Sequence, residues 1–135
     1  MSDTSSSASP ARSAGESRRR QVMGDAFVDR ALASATPFTR PLQELVSEHA
    51  WGATWQRGGI DLKQRSLCTV AMLAALGHTN ELKGHLRGAL NNGATLAELR
   101  EVLLHVAPYA GAPAAVAAFR AAGEWMTAEG LTFEE

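Results

Sequence analysis

Residues 61–93 read DLKQRSLCTVAMLAALGHTNELKGHLRGALNNG, and this stretch decides the fold. Asp61 is a suitable cap for a helix carrying Leu62, Leu67, Val70, Ala71, Leu73, Ala74 and Leu76, and Gly77 stops it. So apolar a segment is expected to be buried on nearly all sides, as a central core helix. Thr79 or Asn80 caps the next helix, which ends at Asn91-Asn92-Gly93, a left-handed terminus signal. Two helices joined by a glycine, with no period-2 alternation, set an all-α reading.

Working outward, Thr95-x-x-Glu98 is a capping box for a further helix, with Leu96, Leu99, Val102, Leu103 and Val106 on its apolar face. Pro108, Gly111 and Pro113 are expected to break the chain before an alanine-rich helix from about Ala114 to Glu129. Upstream, Val22, Phe27, Val28, Ala31 and Leu32 share one helix face. Thr36-Pro37 reads as a cap and first-turn proline for a helix containing Phe38, Leu42, Leu45, Val46, His49, Trp51 and Trp55, closed by Gly58-Gly59. The expectation is a single domain, residues 18–135, of five to six helices. Residues 1–17, mostly Ser, Ala, Thr and Gly, are expected to be a disordered tail. Arg18, Arg19 and Arg20 then read either as an anion site or as the solvated start of the first helix.

Composition removes whole classes of function. Thirteen basic against 14 acidic residues give a net charge of -1, which argues against a nucleic-acid partner. One cysteine in 135 residues excludes an internal disulfide, a CxxC pair and a multi-cysteine zinc knuckle. No apolar run approaches the roughly 18 residues of a membrane span, and Met1 to Ser17 has no apolar centre of the kind a secretory signal needs. A soluble, cytoplasmic protein is expected. Ala114, Ala115, Ala117, Ala118, Ala121 and Ala122 permit close helix contact, within the domain or between subunits of a homo-oligomer.

Glu81 and His85 lie four apart on one helix, so they share a face. A carboxylate beside an imidazole orients it and sets its tautomer, although exposed pairs at this spacing are also common. Lys83 and Arg87 flank them. His78, Glu81 and His85 have a spacing that a metal ion tolerates, but no HExxH and no second ligand pair support one, so no metal is expected. His49, Trp51 and Trp55 read either as the wall of a pocket for a flat ligand or as core packing. Arg65, in an apolar helix, needs a partner or a ligand anion. His105 and Tyr109 are placed to approach a pocket. Cys68 reads as a small buried hydrophobe, with a reactive thiolate as the alternative. No phosphate-binding glycine loop, GxSxG elbow or dinucleotide fingerprint is present.

The stretch RSLCTVAMLAALGHTNELKGHLRGALNNGATLAELREVLLHVAPYAGAPAAVAAF, with the upstream EHAWG, resembles the carboxymuconolactone decarboxylase family over roughly residues 18–128. The resemblance implies an all-helical fold of the alkylhydroperoxidase D-like kind and a ring-shaped homo-oligomer, a trimer or hexamer. It implies loss of CO2 from 4-carboxymuconolactone to give 3-oxoadipate enol-lactone, in the protocatechuate branch of the β-ketoadipate pathway, with no cofactor. Peroxidase relatives carry CxxCxxxH where this chain reads HTNELKGH, so His78 and Glu81 replace the two cysteines and dithiol peroxidase chemistry is excluded. On this basis His85 is the expected proton donor, oriented by Glu81. Arg65 and Arg87 are expected to hold carboxylate or enolate oxygens, and His49, Trp51, Trp55 and Tyr109 to line the substrate pocket. Two alternatives remain at this point. One is a paralogous decarboxylase or isomerase acting on another small carboxylated substrate. The other is a silent helical oligomer that binds a small anion or a protein partner.

Overall fold

The computed structural model describes residues 8–134. Among them are seven α-helices, a π-helical turn and a 3-10 turn, with no strand. The chain divides after Gly59 into two compact units. The first contains α1 (Pro10–Met23), α2 (Asp25–Ala33), α3 (Arg40–Leu45), the π turn (Val46–Trp51) and the 3-10 turn (Thr54–Gln56). The second contains α4 (Leu62–Leu76), α5 (Thr79–Asn91), α6 (Leu96–Ala110) and α7 (Ala112–Glu129). No helix among the described residues is long and apolar enough to cross a membrane.

The expected disordered tail is only partly described, since residues 1–7 lie outside the described residues. From Pro10 onward it is helix. Ser9 caps α1 by accepting from the Arg12 backbone N–H at 3.1 Å, and Pro10 fills the first turn, where a missing N–H leaves nothing unpaired. Composition could not reveal what holds this helix. Gly15 packs so closely on the π turn that a Cβ there would lie 1.8 Å from the Ser47 carbonyl oxygen. Gly52 answers from the other side, with a Cβ position 2.2 Å from the Ala11 oxygen. The arginine run is not simply solvated either. Arg19 is buried and donates to Gln43 Oε1 at 2.9 Å, and burial lowers its pKa. Arg20 is paired with Glu16, Asp25 and Asp29 at 3.3, 3.1 and 2.8 Å.

Two further boundaries differ from expectation. Gly24, at φ 92, separates α1 from α2. Thr36 does not cap a helix but forms a reciprocal turn with Thr39, whose Oγ1 accepts from the Thr36 N–H at 2.8 Å, and α3 starts only at Arg40. The chain through His49 is then π-helical rather than α-helical.

In the second unit Asp61 and Gln64 form a full capping box on α4, and Gly77 closes the helix at φ 76. Asp61→Ala is expected to cost about 1 kcal/mol of stability by urea denaturation. The helix is not buried all round. Its buried stripe is Ser66, Val70 and Ala74, while Met72 and Leu76 are 60% and 69% exposed and Cys68 is exposed rather than buried. Apolar composition showed what the surface is made of, not which part of it is covered. α5 starts one residue earlier than a Thr79 cap and two earlier than an Asn80 cap would give, with His78 in the cap position and no side-chain cap bond. Pro108 lies inside α6 instead of ending it. Proline has no N–H to give the Leu104 carbonyl one turn back, Leu104 itself is 49% exposed, and Gly111 closes the helix by donating to the Ala107 oxygen. The core comprises Val70, Leu82, Leu86, Leu99, Leu103, Val106, Ala118 and Trp125, contributed by all four helices.

Candidate functional site

α5 carries the proposed acid–base pair, and its neighbours define where that pair points. Leu82, Leu86 and Ala89 are buried and mark the core edge. Lys83 Nζ meets Glu124 at 2.6 Å, and Arg87 is ion-paired with Glu129 and lies 5.9 Å over the Trp125 ring. All three partners are on α7. The Lys83 ammonium holds the Glu124 carboxyl below the usual carboxylate range. Lys83 and Arg87 therefore clamp α5 to α7.

At 3.6 residues per turn, Glu81, His85 and Asn92 fall within roughly 40° of one another, on the flank opposite Lys83 and Arg87. Asn92 Nδ2 donates to Ser66 Oγ at 2.9 Å and to the Leu62 carbonyl at 3.3 Å, so this flank faces α4. Glu81 is exposed and His85 half-buried, with its Nδ1 buried. Arg65 on α4 is half-buried, with its Nε buried, one residue before Ser66. Because α4 and α5 run antiparallel through Gly77 and Asn92 meets both Leu62 and Ser66, His85 falls level with the turn from Thr69 to Leu73. Arg65 is then roughly 6–12 Å further along the helix pair at 1.5 Å per residue. Arg65 and the Glu81–His85 pair thus lie on the two paired helices, α4 and α5. Arg87 turns toward α7 instead.

The other expected pocket residues belong to other elements. Trp51 and Trp55 are buried and stacked, with centroids 4.7 Å apart and planes at 26°, in the first unit, where His49 is exposed on the π turn. Gln56 Nε2 donates to the Trp51 carbonyl at 3.0 Å and ties the two turns together. Tyr109 is 82% exposed and packs on His105 at 5.2 Å. Both line an apolar groove of about 770 Å³ between α4 and α6, together with Cys68, Ala71, Glu101 and Val102. Sequence reasoning missed the Ser66–Asn92 contact. Asn92 read only as a helix terminus, and nothing local marks a side chain that reaches a neighbouring helix.

Residues 40–124 match the carboxymuconolactone decarboxylase family. Over 100 residues the chain is 51% identical to a nitrosuccinic acid decarboxylase of Metarhizium robertsii, covering 74% of this chain and 70% of that protein. Over 106 residues it is 44% identical to a 4-carboxymuconolactone decarboxylase of Acinetobacter baylyi, covering 78% of this chain and 79% of that protein. Both relatives are named as decarboxylases, and they differ in the acid they act on.

Proposed function

Since the chain belongs to the carboxymuconolactone decarboxylase family and is a decarboxylase, we propose that its substrate is a small dicarboxylic acid that carries its own electron sink, with 4-carboxymuconolactone as the leading candidate. The observation that carries this is the 44% identity to a 4-carboxymuconolactone decarboxylase across 79% of that protein's length, which includes the α4–α5 pair.

The chemistry of such an acid fits the polar groups of these helices. In 4-carboxymuconolactone the departing carboxylate is vinylogous to the lactone carbonyl. As the C–C bond to CO2 breaks, its electron pair moves through the alkene onto the carbonyl oxygen and leaves a dienolate. Protonation at carbon then gives the enol-lactone, so one proton enters and one CO2 leaves. No external electron sink is needed. His85 is the proton donor, and Glu81, one turn earlier, holds the imidazole in the donating orientation. Arg65 anchors the carboxylate that the substrate keeps. Its offset from His85 suits a substrate whose reacting carbon and retained carboxylate lie at opposite ends. Arg87, engaged by Glu129 and Trp125, holds α5 in place.

A second reading has its own support in the 51% identity to a nitrosuccinic acid decarboxylase. There the nitro group would be the sink, and loss of the adjacent carboxylate leaves a nitronate that also needs protonation at carbon. The two acids share a leaving carboxylate, a sink and a retained carboxylate. Assaying both with purified protein, by ultraviolet absorbance and CO2 release, separates them. The leading reading expects the lactone to have the higher kcat/KM. A preference for nitrosuccinate moves the assignment to the second reading, and CO2 release from neither acid overturns both.

The proposal includes a homo-oligomer. Met72, Leu76, Leu104 and Val116 of the second unit are 60%, 69%, 49% and 55% exposed, and their burial between subunits would remove apolar surface from water. Light scattering on the purified protein is expected to give a multiple of 14.3 kDa, and a monomer at micromolar concentration would contradict this part.

A further inference from the structure

We propose that Ser66 and Asn92 are positioning residues that set the distance between the Arg65 carboxylate anchor and the His85 proton donor, and so the length of dicarboxylic acid that the site accepts. This rests on the reading of Arg65 as the anchor. Ser66 is fully buried, and its Oγ accepts from Asn92 Nδ2. A buried polar pair contributes less to a core than apolar packing and is costly when one partner is lost. What it adds is direction. Apolar faces of two antiparallel helices tolerate a slide, whereas a side-chain hydrogen bond at 2.9 Å is made in one register.

Both ends of this bond are themselves held. The Asn92 backbone N–H donates to the Gly88 oxygen at 3.0 Å, and the Ala94 N–H closes the α5 terminus on the Ala89 oxygen at 2.9 Å, with Gly93 at φ 94 between them. Asn92 also reaches the Leu62 carbonyl in the first turn of α4. That turn is fixed further by the Asp61–Gln64 capping box and by the 2.8 Å ion pair from Lys63 to Glu98 on α6. Arg65 thus leaves a turn braced from α5 and α6. Its spacing from the polar stripe of α5 follows from the Asn92–Ser66 register, and a substrate must bridge that spacing.

The test is a double-mutant cycle read in steady-state kinetics on the dicarboxylic acid that the protein turns over. Ser66→Ala is expected to raise KM about tenfold with kcat changed by less than about threefold, because the anchor and not the proton donor is displaced. In an Arg65→Ala background the same change is expected to leave KM where it is, while it lowers Tm equally in both backgrounds. Asn92→Ala removes the bond from its half-exposed side and is expected to reproduce the KM effect should Ser66→Ala fold poorly. An unchanged KM in the Ser66 and Asn92 variants, or a KM effect that adds in full to that of Arg65→Ala, overturns the positioning role and leaves the anchor standing. An Arg65→Ala variant with unaltered KM overturns the anchor and this proposal together.

Discussion

Replacing His85 with alanine is expected to lower kcat by about 100- to 1000-fold while leaving the fold intact. General acid catalysis by a positioned side chain is worth about 10²- to 10⁴-fold, and in this reaction the acid delivers the proton that completes product formation at carbon. Leu82 and Leu86 supply the buried face of α5, whereas His85 is half-buried on its flank, so the truncation removes little core. The helix remains clamped to α7 by Lys83 and Arg87 and to α4 by Asn92. Glu81→Gln keeps a hydrogen-bonding side chain at the same place but not its charge, and is expected to lower kcat by less. Steady-state rates with circular dichroism melting separate these effects. Full turnover in folded His85→Ala protein would remove the residue from the mechanism.

The second large effect is expected in the first unit and comes from packing alone. Gly15→Ala should destabilise the protein by about 3 kcal/mol, at the upper end of what overpacking causes. The added Cβ would sit 1.8 Å from the Ser47 carbonyl oxygen and 2.7 Å from the Gly52 nitrogen. Both are backbone atoms, so no flexible side chain can move aside, and α1 must separate from the π turn. Gly123→Ala is the matched control. Gly123 lies inside α7 with nothing within 4 Å of its Cβ position, and alanine there is expected to stabilise by up to about 1 kcal/mol. Equal urea midpoints for the two variants would show that α1 does not hold this close contact in solution.

The contrast shows what a sequence discloses and what it hides. Asp61 with Gln64, Thr95 with Glu98, and the glycines at 77 and 93 act on backbone groups within a few residues, so the helix ends they fix were legible. Burial was not, because it depends on partners distant in sequence. From Leu67 to Leu76 α4 is apolar but for Thr69, yet only Val70 and Ala74 of that stretch are buried. Residues 10–17 looked disordered because their anchor, the Gly15–Gly52 approach, joins residues 37 apart in the chain. The i,i+4 pair Glu81–His85 could be read from spacing alone. That Lys83 and Arg87 turn to α7, and that Asn92 reaches α4, needed the tertiary structure.

The chain is expected to release CO2 from a substrate that supplies its own electron sink, with His85 as the acid. The most direct measurement is CO2 release from 4-carboxymuconolactone, generated in situ, by purified chelator-treated protein and by its His85→Ala variant side by side. The expected result is one CO2 per enol-lactone formed, at a rate insensitive to the chelator and lost in the variant. Undiminished CO2 release by the folded variant, or turnover that returns only when a metal ion is added back, would contradict it.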